Sequence, residues 1–237
     1  MARPVYLVGG GWTASAAGAV YDPFVAECGG PIVLVVEAGP GSAAYARRFV
    51  EVLEAAGAAE VPVLEVAADR LPRREDFAGA AGVVVGGGLT PNYHALLVDA
   101  GRDWLPDAIP YLGFSAGAAI ASRHALIGGC AIESSGVRRA VSPEETSEDL
   151  DAVAVAPGLG LVPWTVDVHA GQWGTLARLW HVVASGASEQ GFAIDEDTCL
   201  VARGETWQVA GRGHVYELRR DEDGCHVRAH VAPAVSG

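Results

Sequence analysis

The chain has 237 residues, 50% of them hydrophobic, and a formal net charge of −13 in which every one of the sixteen basic residues is Arg. That is enough apolar material for one sizeable core, and the composition shows no linker, so a single domain over residues 1–237 is expected. So acidic a surface excludes nucleic acid and anionic membrane as partners, since both require a positive footprint.

In chain order, the first half repeats one phrase: a short apolar run, glycines, then a helical stretch. Val5–Val8 leads into Gly9-Gly10-Gly11, Ile32–Val36 into Glu37-Ala-Gly-Pro-Gly, and Gly82–Val85 into Gly86-Gly87-Gly88. Continuous apolar runs, as opposed to alternating ones, predict strands covered on both faces and hence a parallel sheet. Ser42–Ala56 carries Tyr45, Phe49, Val52 and Leu53 at helical spacing and is closed by Gly57. Val61–Val66 reads as a strand, Asp76–Ala80 as a short helix, and Tyr93–Ala100 as a helix started by Thr90 and Pro91 as N-cap and first residue. Tyr111–Gly113 is a short strand entering a small-residue helix over Ser115–Ser122. Arg138–Leu150 reads as an exposed excursion, Trp164–His169 as a strand, and Gln172–Val183 as an amphipathic helix. From Phe192 onward short strands are joined by Gly and Asp turns, with a hairpin at Asp221–Gly224.

The four cysteines (Cys28, Cys130, Cys199 and Cys225) form no CxxC pair and read as free thiols in a reducing compartment. The N-terminus lacks a signal-peptide h-region and no stretch is long enough to span a bilayer, so a cytoplasmic protein is expected.

Gly113-Phe-Ser-Ala-Gly117 follows a strand and opens a helix, the context in which a G-x-S-x-G match carries chemistry. Small neighbours let the chain reverse sharply, and an oxyanion formed at Ser115 would meet free N–H groups at a helix N-terminus. The competing reading is a glycine turn that only packs a helix on its strand. The glycines after Val85 fit a phosphate loop poorly, because no GK[ST] follows them; an oxyanion hole from Gly87 or Gly88 with Ala116 is the better use. Of seven histidines, His169 ends a strand at the sheet edge where ligands collect. His226 and His230 have metal-type helical spacing but lie in strand-like sequence, and neither a metal nor another cofactor is expected. The residues leave the acid that orients His169 open among Glu133, Glu144, Glu145, Asp167 and Asp195.

The ordered blocks resemble peptidase family S51, which includes cyanophycinases and aspartyl dipeptidases. The blocks are Gly86-Gly-Gly-Leu-Thr90, Gly113-Phe-Ser-Ala-Gly-Ala118, Asp167-Val-His169 with Gln172 and Arg178, and Gly191-Phe-Ala-Ile-Asp-Glu-Asp-Thr198. A softer match is Gly211-Arg-Gly213-His-Val-Tyr216. The resemblance implies a class I glutamine-amidotransferase-like three-layer α/β/α sandwich (flavodoxin-like) with a mostly parallel sheet. It implies a serine hydrolase acting on a small peptide, isopeptide or related acyl substrate, with Ser115 as nucleophile, His169 as base and Glu133 as orienting acid. Thr90, Asp167, Gln172, Trp173 and Arg178 stand where substrate contacts would fall, and a homodimer is compatible with the reading. Trp173 and Thr175 replace basic residues, and Val168, Ala170 and Leu89 also depart from the family pattern, so β-aspartyl-arginine dipeptides are expected to be poor substrates. Two rival readings are a sandwich that kept the turn but only binds a ligand, and an α/β-hydrolase esterase. The latter would nominate His226 with Asp195 or Asp197.

Overall fold

In the computed structural model, which describes residues 3–233, the apolar runs of the first half become neighbouring strands. β1 (Pro4–Val8), β2 (Ile32–Glu37), β3 (Val63–Val66), β4 (Gly82–Val85) and β5 (Tyr111–Phe114) are parallel, in the order β1-β5-β4-β2-β3. Side chains alternate across a strand, so an unbroken apolar run needs cover on both faces. β2 shows it: Val33 and Val35 join one core cluster, while Ile32, Leu34 and Val36 join the other. Helices α1 (Ala14–Cys28) and α2 (Ser42–Ala55) cover the second cluster through Phe24, Phe49 and Leu53. On the opposite face lie α3 (Thr90–His94), its π-helical continuation Ala95–Asp99, and α4 (Ala116–Ile120). Each large aliphatic residue buried between these layers stabilises the fold by about 1.5–3 kcal/mol.

The second half adds β6 (His124–Gly128), β7 (Ala131–Ser134), β8 (Val137–Ala140), β9 (Ala154–Pro157), β10 (Thr165–Val168), α5 (Ala170–Trp173) and α6 (Leu176–Ala184). β11 (Gln190–Ile194), β12 (Thr198–Arg203), β13 (Thr206–Gly211), β14 (His214–Asp221) and β15 (Gly224–Val231) complete the chain. The expected C-terminal hairpins are present but divide between two sheets. β12 pairs antiparallel with β1 and carries β13, completing a seven-stranded, largely parallel sheet. β14 and β15 instead extend the pair β10-β11 into a four-stranded sheet. The result is the expected α/β architecture with a largely parallel central sheet. Among the described residues no helix is long and apolar enough to cross a membrane.

Several boundaries differ from the sequence reading. The helix expected over Gln172–Val183 is broken by Gly174, whose φ of 72° lies in the left-handed region, into α5 and α6. Leu89, not Thr90, is the N-cap of α3, so Thr90 and Pro91 each sit one position further into the helix. The expected helix near Asp76 is a single 3₁₀ turn over Arg74–Phe77.

The excursion after β6 is tied to the sheet by a buried ion pair. Arg178 on α6 donates to both carboxylate oxygens of Asp167 on β10, at 2.7 and 3.0 Å, and to the carbonyls of Gly129 and Thr146. Burial alone would lower the Arg178 pKa, but the Asp167 carboxylate raises it above its ordinary value, so the guanidinium stays charged. Arg178→Met is expected to destabilise the protein by about 3–5 kcal/mol, because Asp167 would be left charged, buried and unpaired. A denaturant midpoint that barely moves would contradict this.

Candidate active site

Ser115 occupies the junction of β5 and α4 with φ 52° and ψ −112°, a conformation that a non-glycine residue holds only when its surroundings over-determine it. The surroundings do so. The Ser115 amide donates to Val8 O at the end of β1 (2.9 Å), and the Gly117 amide to Gly86 O just beyond β4 (3.1 Å). A Cβ on Gly117 would lie 2.3 Å from Val85 O, so only glycine lets α4 start this close to the sheet. The hydroxyl is thus held above the carboxyl edge, as the G-x-S-x-G context predicts.

His169 follows β10 and is also left-handed, with φ 56° and ψ 35°. Its amide donates to Gly9 O (3.0 Å), which draws the imidazole against the β1 turn. There Gly10 has φ +107°, and a Cβ would stand 2.1 Å from His169 Cε1. One short glycine segment thus sets how closely His169 approaches Ser115. His169 Nε2 lies 2.9 Å from Ser115 Oγ, and Nδ1 lies 2.8 Å from Glu196 Oε1. A carboxylate only accepts, so Nδ1 carries the proton and Nε2 accepts the Ser115 hydroxyl. Trp173 stacks on the imidazole at 3.9 Å and 9° between ring planes, which fixes its plane. Burial pulls the His169 pKa below the ordinary 6.5, against the opposing effect of its hydrogen bond to Glu196, so the ring is neutral and basic at neutral pH.

The carboxylate that meets His169 differs from the sequence reading. Glu133 is exposed on the β7–β8 hairpin, opposite Arg138 in the ladder, and makes no contact with His169. The other candidates are committed elsewhere: Asp167 to Arg178, and Asp195 to the amides of Gly171 and His214. Glu144 and Glu145 line the cleft without reaching the imidazole. Glu196 was overlooked although it lies inside the Gly191–Thr198 block. The available signal was strand adjacency: β10 and β11 pair in parallel with Val168 opposite Ile194, so the residues just past each end share one edge. Gln172 Oε1 accepts the Glu196 amide (2.8 Å) and holds that loop in place. His226, the base of the α/β-hydrolase alternative, pairs instead with Asp221 in an exposed hairpin.

Above Ser115 opens a cleft of about 640 Å³. Phe114, Gly87 and Gly88 form its floor, residues 144–149 one wall, and half-exposed Trp173 stands beside His169. Of the expected oxyanion donors, the Gly87 amide is already engaged, donating to the Tyr45 hydroxyl at 2.7 Å. The Gly88 and Ala116 amides meet no acceptor among the described residues. Of the expected substrate contacts, only Trp173 lines the cleft. Thr90 is buried and ties the glycine loop to the wall, its amide and hydroxyl donating to Glu148 at 2.8 and 3.0 Å. Asp167, Arg178 and Gln172 brace the site from behind, and Thr175, buried against Val168 O, has no access to the cleft.

A sequence model of peptidase family S51 matches residues 32–210. A cyanophycinase from Geminocystis herdmanii (strain PCC 6308) is 34% identical over 105 residues, 44% of this chain and 34% of that protein, so the match spans about a third of that relative's length. The crystal structure of a peptidase from an acI-B1 Actinobacterium superposes with a TM-score of 0.69 at 18% identity, covering 98% of this chain and 95% of the other. A candidate peptidase E from Listeria monocytogenes EGD-e superposes with a TM-score of 0.57 at 15% identity, covering 90% and 100%. These two structures share the fold described above.

Proposed function

This chain belongs to peptidase family S51, and we propose that it is a serine peptidase whose catalytic triad is Ser115, His169 and Glu196, acting on short peptide or isopeptide amides. The observation that carries this reading is the continuous relay from Ser115 Oγ through the imidazole to the Glu196 carboxylate, at 2.9 and 2.8 Å. His169 Nε2 takes the hydroxyl proton as Oγ bonds to the substrate carbonyl carbon. Glu196 stabilises the resulting imidazolium and holds its tautomer. The imidazolium then protonates the leaving amine as the C–N bond breaks, and a water repeats the sequence to release the acyl group. The free Gly88 and Ala116 amides stand ready to hold the oxyanion.

The cleft also indicates what the substrate carries. Glu144, Glu145, Glu148 and Asp149 line it, and none of its lining residues is Arg. A substrate carboxylate facing that wall would be desolvated with no positive partner, whereas a neutral or basic group would not. In a dipeptide panel with Ser115→Ala as the blank, neutral or basic side chains are therefore expected to give the highest kcat/KM. A best substrate with an acidic side chain would overturn this reading. A β-aspartyl-arginine dipeptide combines both charges, and its acidic part is expected to leave it behind a neutral dipeptide.

A further inference from the structure

The Tyr45 hydroxyl stands where the sequence reading placed a backbone donor. It accepts the Gly87 amide at 2.7 Å, and its own O–H meets no acceptor among the described residues. Both Tyr45 and Ser115 line the cleft. They are close: a Cβ built on Gly87 would lie 2.9 Å from Ser115 Cβ and 3.1 Å from Tyr45 Oη. We propose that Tyr45 is a catalytic residue of this enzyme, its hydroxyl donating to the oxyanion in place of the Gly87 amide. The proposal rests on Ser115 being the nucleophile.

Three further features fit that role. The phenol ring is immobilised by edge-to-face contacts with Trp12 (6.1 Å) and Phe49 (5.2 Å), so its hydroxyl is positioned without the freedom of a surface tyrosine. Accepting the Gly87 N–H polarises the O–H bond, making it a stronger donor than an isolated phenol. Burial pushes the Tyr45 pKa up to about 12, so the proton it would donate is retained throughout the neutral range. A donor that is fixed in place before charge develops is the arrangement that stabilises a transition state most effectively.

Tyr45→Phe keeps the ring and its contacts and removes only the hydroxyl. Its kcat is expected to fall about 10²–10³-fold, the effect of losing one oxyanion donor, with KM little changed. Affinity for a peptide aldehyde, which forms a tetrahedral adduct with the nucleophile, is expected to fall by a similar factor, while a non-reactive peptide alcohol binds as before. Leu53→Ala cuts into the buried face of the same helix but leaves Tyr45 and its ring contacts in place; it is expected to lower thermal stability and keep kcat within a few-fold. Turnover by Tyr45→Phe within threefold of the parent, a loss confined to KM, or unchanged aldehyde affinity would each overturn the proposal. So would a kcat loss in Leu53→Ala as large as that in Tyr45→Phe. Absence of Ser115-dependent turnover in the parent enzyme would instead remove the hydrolase reading on which the proposal rests.

Discussion

Replacing Ser115 with alanine is expected to reduce turnover of the best dipeptide by about 10⁶-fold while leaving the fold intact, as loss of the nucleophile does in enzymes whose triad acts as a unit. The fold is expected to survive because the elbow is held by the backbone. The Ser115 amide to Val8 O and the Gly117 amide to Gly86 O persist when only the hydroxyl is removed. Alanine adopts the same positive φ of 52° that serine already holds, so the strain is common to both and little change in stability is expected alongside the loss of activity. Steady-state kinetics beside a thermal melt separates the two. Residual turnover within a hundredfold of the parent would mean that another group performs the attack.

The second large effect concerns the acid. Glu196→Gln is expected to lower kcat/KM by about 10³–10⁴-fold, because an amide neither stabilises the imidazolium nor enforces the tautomer that leaves Nε2 free to accept. Glu133→Gln is expected to behave as the parent enzyme does, since Glu133 sits exposed on a separate hairpin. The pH profile supplies a second readout. As the proposed base, His169 works only when neutral, so kcat/KM is expected to fall as pH drops through its pKa, which burial holds below 6.5. Glu196 opposes that depression, favouring the protonated ring. Removing its charge leaves burial unopposed and is expected to move the acid limb to lower pH in the surviving activity. An acid limb that moves to higher pH, or an equal loss in Glu133→Gln, would contradict the assignment of Glu196.

The sequence reveals the central sheet because its signal is local. Runs such as Ile32–Val36 and Gly82–Val85 are apolar at every position, which only a strand covered on both faces tolerates. Ser115 is legible for a similar reason: a glycine-flanked serine between a strand and a helix has few structural uses. His169 follows from its place at a strand end. Glu196 escapes because its role depends on which strands are neighbours, and the pairing of β10 with β11 brings together residues 27 apart in sequence. Tyr45 escapes for a different reason. Its helical spacing with Phe49 and Leu53 marks it as a core residue, and its ring does pack there, while its hydroxyl alone reaches the Gly87 loop. Amphipathic side chains of this kind serve core and cleft at once, and periodicity registers only the first. Arg178 is the reverse case: its match to a family block suggests substrate contact, but burial beside Asp167 makes it a brace.

Whether Ser115 is an activated nucleophile is read directly by a fluorophosphonate, since only a serine with a working general base attacks phosphorus at an appreciable rate. Incubation of the full chain with the probe, followed by intact mass and peptide mapping, is expected to show one adduct located on Ser115. It is expected to be absent in Ser115→Ala and to form far more slowly in His169→Ala. An adduct on a different residue, or a folded parent protein that gives none, would contradict Ser115 as the nucleophile.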